Sequence, residues 1–197
     1  MRETSYPVIE VFESIQGEGA HMGLGADFIR LAGCNLRCPW CDTSQAFNVE
    51  NVRTYIAEEL LQAYPFNQPM VVITGGEPTL HDLGPLVAGL HRRGKYVAIE
   101  TNGTRDVPEE WQVDWVTVSP KPPEYAIHCR ADELKYIVDD GFELRHIQRD
   151  KAADGKIFLQ VESCRPESAV KAYAMIIKNP RLHLRLGIQL HKIVGVE

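Results

Sequence analysis

The chain has 197 residues, 44% of them hydrophobic and 24% charged, with a net charge of −6 at neutral pH. That length suits one domain around a single core, and with no eighteen-residue apolar run and no basic start leading into an apolar stretch we expect neither a membrane span nor a secretion signal. Lys and Arg are scattered rather than gathered into a stripe, which argues against direct nucleic-acid binding, and five cysteines with three of them clustered make no disulfide framework, which points to the cytoplasm.

In chain order, apolar runs of strand length occur at 7–12 (PVIEVF), 26–32 (ADFIRLA), 70–75 (MVVITG), 96–100 (YVAIE), 115–119 (WVTVS), 133–138 (ELKYIV), 156–161 (KIFLQV) and 182–189 (LHLRLGIQ). Helical spacing appears at 52–64 and at 82–94, the latter between a possible Asp82 N-cap and Gly94. It appears again at 166–179, with Pro166 at its start. Strands alternating with helices, several nearly continuous in apolar character, predict βαβ units and a mainly parallel sheet within one domain spanning 1–197. In such sheets chemistry gathers beyond the carboxyl ends of the strands. The loops there read GCNLRCPWCDT, TGGEPTLHD, ETNGT, SPKPP and QVESC, so one shared site is expected.

The first of these loops holds Cys34, Cys38 and Cys41. A structural zinc site is closed by four ligands, usually two pairs, and the local spacing supplies no second pair. An iron–sulfur cubane held by three thiolates leaves one iron open to a small molecule. Cys129 and Cys164 are isolated, as small core residues usually are, and receive no role.

The spacing Cys34-x3-Cys38-x2-Cys41, with Trp40 before the third cysteine, resembles the signature of the radical S-adenosylmethionine (SAM) superfamily. That resemblance implies a 4Fe-4S cluster on the three cysteines, with SAM on the open iron as the source of a 5′-deoxyadenosyl radical. The superfamily's core is a partial parallel (β/α)6 barrel. With so little helical sequence here, we expect a trimmed α/β barrel with helices incomplete on one side and a homodimer covering the exposed face. TGGEP resembles the superfamily's GGEP motif, which assigns Gly75, Gly76 and Glu77 to SAM; Trp40, Ser119, Pro120 and Lys121 (the SPK turn) and Gln160 are further SAM-side candidates. ETNGT (100–104) is a secondary one.

FESIQGEG before the cysteines, Arg30 in the strand leading to them, CDT after them and the closing QLHKIVGVE together resemble the 7-carboxy-7-deazaguanine synthase family of 7-deazapurine (queuosine) biosynthesis, over most of the chain. The resemblance implies conversion of 6-carboxy-5,6,7,8-tetrahydropterin with loss of ammonia. It also implies magnesium as a second cofactor and a flavodoxin- or ferredoxin-like electron donor. Arg30 suits the substrate's carboxylate. Ile15, Gln16, Gly17, Glu18 and Thr74 suit its N–H-rich edge and ring, and His191 and the carboxylate of Glu197 would fold over it. Thr43 is the expected magnesium ligand, with Asp42 kept in view. The rival readings are a glycyl-radical-enzyme activase, which would need an open protein-docking surface, and a zinc-binding module without catalysis.

Overall fold

The computed structural model describes residues 4–197. Nine strands make one sheet in the order β3-β1-β2-β4-β5-β6-β7-β8-β9. They are β1 (Ser5–Ile15), β2 (Gly25–Leu31), β3 (Arg53–Ile56), β4 (Met70–Gly75), β5 (Tyr96–Thr101), β6 (Trp115–Val118), β7 (Glu133–Val138), β8 (Ile157–Val161) and β9 (Arg185–Gly187). Four helices accompany them: α1 (Ala57–Ala63), α2 (Gly84–Arg92), α3 (Pro166–Lys178) and α4 (Leu190–Val194). Every pairing from β2 to β9 is parallel, while β1 runs antiparallel to both β2 and β3.

Helices α1, α2 and α3 cover the crossovers into β4, β5 and β9, whereas the connections from β5 to β8 carry only short 3-10 turns. The expected trimmed barrel is therefore what forms, open on the side where helices are missing. Its outer core packs Leu60, Leu86 and Leu90 against Ile29, Ile73 and Ile99, each fully buried side chain contributing about 1.5–3 kcal/mol. Tyr125, Tyr136 and Phe142 stack together where no helix is available.

Three expectations need correction. Residues 53–56 are strand, because Tyr55 and its β-branched neighbours pair with Ser5–Val8. The helix begins only at Ala57, where Glu59 accepts the backbone N–H of Ile56. The strand expected over 182–189 shrinks to Arg185–Gly187, since Pro180–Leu182 forms a 3-10 turn and His183 is left-handed. Asp82 is not the N-cap of α2: Leu83 is, although the Asp82 carboxylate still accepts from Gly84 N–H at 3.0 Å.

Inside the barrel the strands form layers. Phe28, Val72 and Ala98 stand in register, together with Phe12 and Trp115, as an apolar floor. Two residues further along the same strands are Arg30, Thr74 and Glu100. Side chains alternate across a strand, so these polar residues share the inner face and sit at the carboxyl end, where the cysteine loop begins.

Candidate active site

One cavity of about 260 Å³ at that end is lined by Cys34, Cys38 and Cys41. Backbone hydrogen bonds set their loop in place: Gly33 N–H to Ala46 O (2.8 Å), Glu77 N–H to Gly33 O (2.8 Å) and Cys41 N–H to Cys38 O (3.2 Å). All three thiols are free. Burial pushes Cys34 and Cys38 up, and the neighbouring thiols push the same way, so a cation is needed to hold them as thiolates; a coordinated metal does this outright. Among the described residues no three His, Cys, Asp or Glu side chains converge on a point that could hold one ion. A cubane asks only that thiolates on different irons face a common space, which the three cysteines do. Cys129 packs against the core, its thiol raised to about 11 mainly by burial, and Cys164 is exposed, so neither joins the cavity.

The loop after β4 brings Gly75 and Gly76 to the cavity wall. Gly75 has φ +140, and a Cβ there would collide with Leu31 backbone, as one at Gly76 would with the Gly33 carbonyl. These glycines let the TGGEP loop lie directly on the start of the cysteine loop. Glu77, expected to face the cofactor, does not reach the cavity. It is fully buried and accepts from Thr79 N–H (3.0 Å), Thr79 Oγ1 (2.5 Å), Thr101 Oγ1 (2.7 Å) and Asn102 N–H (2.6 Å). A buried carboxylate needs such partners, and the loops after β4 and β5 provide them.

Of the SPK turn, Ser119 and Lys121 line the cavity and Pro120 does not. Lys121 donates to Ser119 Oγ and stands 5.1 Å from the Trp40 ring centroid. Burial and the nearby Lys135 charge bring its ammonium down to about 8. Trp40 is itself fixed by its Nε1–H to Asp139 at 2.9 Å. Gln160, also expected at the cofactor, is turned instead onto Gly187 with neither amide atom hydrogen-bonded; Glu162 and Ser163 of the following turn line the cavity in its place.

Arg30 donates to Glu10 at 2.5 Å and to Thr43 Oγ1 at 3.4 Å, with its guanidinium 5.4 Å from the Phe12 centroid. Beside it Gln16 Nε2 donates to Glu100 (2.9 Å), and Thr74 Oγ1 to the same carboxylate (3.4 Å). The Lys135 ammonium bridges Glu18 and Glu100, the latter at 3.7 Å. Burial pulls Lys135 down, but the two carboxylates outweigh it and hold the ammonium well above its ordinary value. Ile15 and Gly17 complete this wall. Sequence reasoning missed Glu10 and Lys135 and left Glu100 secondary. A lysine between Leu134 and Tyr136 in an apolar strand carried the same signal that singled out Arg30.

The segment after β9 returns across the cavity. Leu190 N–H donates to Gly17 O (2.9 Å), the His191 ring lies where a Cβ on Gly17 would be, and Ser14 Oγ donates to the Glu197 carbonyl. His191 and Glu197 both reach the cavity. Gln189 and Lys192 contact Asp42, whose carboxyl, despite burial, they and Thr43 hold far below the usual range.

Comparison with known proteins gives concordant results. Residues 28–121 match the family model of the radical SAM superfamily. The 7-carboxy-7-deazaguanine synthase of Synechocystis sp. is 40% identical, covering 98% of this chain and 94% of its own. That of Bacteroides thetaiotaomicron is 40% identical over 95% and 96%. The crystal structure of QueE from Escherichia coli superposes with a TM-score of 0.74 at 31% identity, covering 95% of each chain.

Proposed function

This chain belongs to the 7-carboxy-7-deazaguanine synthase family of the radical SAM superfamily, and we propose that its cavity takes 6-carboxy-5,6,7,8-tetrahydropterin and releases 7-carboxy-7-deazaguanine and ammonia. A bound 4Fe-4S cluster and SAM would supply the 5′-deoxyadenosyl radical that removes a hydrogen atom from the substrate. Cys34, Cys38 and Cys41 would hold the cluster. The backbone of Gly75 and Gly76, with Trp40, Ser119 and Lys121, would hold SAM. The observation that carries the reading is that the thiols, Arg30 and the Glu18–Lys135–Glu100 group line one cavity. Arg30 presents a charged fork to the substrate's carboxylate. Backbone groups of Ile15, Gln16 and Gly17, together with Glu18 and Thr74, meet the N–H donors of the pyrimidine edge. His191 and Glu197, which both reach the cavity, fold over the pterin. An activase would need an open protein-docking surface, and here the chain's own closing segment docks on Gly17 and Asp42 at the edge of the cavity.

Magnesium belongs to the same proposal. Thr43 Oγ1 donates its proton to Asp42 at 3.2 Å and accepts from Arg30 at 3.4 Å, which leaves one hydroxyl lone pair, a suitable hard oxygen for Mg²⁺. Anaerobic reconstitution with iron and sulfide, then dithionite, SAM, Mg²⁺ and the pterin, should give 7-carboxy-7-deazaguanine by mass spectrometry. Thr43→Ala should cleave SAM normally while its magnesium response disappears. Accumulation of 5′-deoxyadenosine without product would refute the substrate, and an unchanged magnesium titration would remove Thr43 from the metal site.

A flavodoxin- or ferredoxin-like donor and a cytoplasmic location complete the reading, in keeping with a chain in which no described helix is long and apolar enough to cross a membrane. A homodimer is proposed on the face of α3, where Val170, Tyr173 and Ile177 form an exposed apolar stripe at helical spacing, with exposed Leu186 on the sheet-edge strand β9. Light scattering should report a dimer that Val170→Glu/Tyr173→Glu converts to monomer; a monomeric parent protein disproves it.

A further inference from the structure

The segment that closes the cavity has little to hold it down. Helix α4 is five residues long and buries none of them, and a helix so short has no stability of its own. Apart from the half-buried Leu190, its apolar residues point outward: Ile193 and Val194 are 62% and 55% exposed, as is Val196 just beyond it at 48%. What fixes it is polar: besides Leu190 N–H to Gly17 O at 2.9 Å and Ser14 Oγ to Glu197, a side-chain triangle holds it. The Lys192 ammonium donates to Asp42 Oδ2 at 2.8 Å and to Gln189 Oε1 at 2.9 Å, and Gln189 Nε2 donates to the same Asp42 oxygen at 3.1 Å. Gln189 is buried and lines the cavity, so this triangle is the hinge side of the closing wall. Asp42 follows Cys41 directly, and the bridge to Lys192 spans 150 residues.

We propose that Lys192 is a positioning residue: by clamping Asp42 and Gln189 together it docks residues 189–197 onto the cysteine loop, so that the wall closing over the substrate is set by the loop that carries the cysteines. The proposal rests on the functional reading only for what lies beneath that wall. The side chains of Lys192 and Asp42 are 35% and 50% exposed. An exposed pair of this kind adds little to global stability, yet it governs local opening where no apolar packing competes. The two consequences separate: the thermal midpoint should hardly move, while the segment should open more often.

The test is hydrogen exchange on the reconstituted holoenzyme without pterin. Lys192→Met and Asp42→Asn should each speed exchange over 189–197 about five- to ten-fold. The double variant should fall short of the product of the two single effects, because both remove the shared Lys192–Asp42 bond, and Lys192→Arg should restore most of the protection. Exchange elsewhere, iron content and the cluster's absorption should match the parent protein. In turnover, KM for the pterin should rise several-fold with KM for SAM unchanged. Unaltered exchange over 189–197 in Lys192→Met, or additive effects in the double variant, would overturn the proposal. Faster exchange with no turnover of the pterin by the parent protein would leave the clamp standing and refute the substrate.

Discussion

Replacing Cys38 by Ser should abolish both SAM cleavage and product formation while leaving the protein folded. Two features separate the chemistry of this position from its packing. The cysteine loop is held by backbone bonds from Gly33 to Ala46 and from Glu77 to Gly33, and by the four donors that fix Glu77, none of which involves a sulfur. Thermal midpoint and circular dichroism should therefore match the parent protein. The cluster cannot tolerate the change in the same way: a hydroxyl is a harder, less acidic ligand than a thiol and does not satisfy an iron that prefers thiolate. With only two thiolates left and no other cysteine at the cavity, iron content should fall and 5′-deoxyadenosine should drop to background. Retained SAM cleavage in an iron-loaded Ser variant would mean that Cys38 is not a ligand, and the open-iron reading of the loop would fail with it.

The parts of this architecture that were legible in the sequence depend on local order. Strand β4 is a nearly continuous apolar run because both faces are covered, and the three thiols lie within one loop whose spacing is its own signal. What escaped depends on pairing across the sheet. Residues 53–56 carry a pattern compatible with a helix, and only the exposed edge of β1 turns them into a strand. Glu10 meets Arg30 because the antiparallel register of β1 and β2 sets the two directly opposite, a fact that no spacing reveals. Glu77 was found by its motif, but its direction was not: the motif does not say that Thr101 and Asn102, at the end of the next strand, will claim the carboxylate. Gln160 is the same case, since Gly187 leaves the space into which its amide turns.

Lys135→Met should cost about 3–5 kcal/mol of stability, the usual penalty for stranding a buried charge, and should also introduce a pH dependence that the parent protein lacks near neutrality. The Lys135 side chain is 8% exposed, and it is the counter-charge for Glu18 and Glu100. In the parent protein burial pushes Glu100 up, but Lys135, Gln16 and Arg30 together hold its carboxyl below the ordinary value. A depressed carboxyl stabilises the fold above its unfolded value, near 4.5, and loses that contribution as pH falls through the folded value. Lys135 is raised above its ordinary 10.5, so its contribution is complete below that pH and disappears only as pH rises through the folded value. Between about pH 5 and 10 this group therefore adds no slope to the stability curve. Without the ammonium, the burial that already pushes Glu100 up dominates, and its carboxyl rises above its unfolded value. Protonation then favours the fold, so stability should fall as pH climbs from 5.5 to 8. Urea midpoints at those two pH values measure the difference: near-equal for the parent protein, lower at pH 8 for the variant. An equal loss at both would mean that solvent, not Lys135, compensates Glu18 and Glu100. In that case Gln16 and Thr74 would remain as the groups that orient Glu100 toward the cavity.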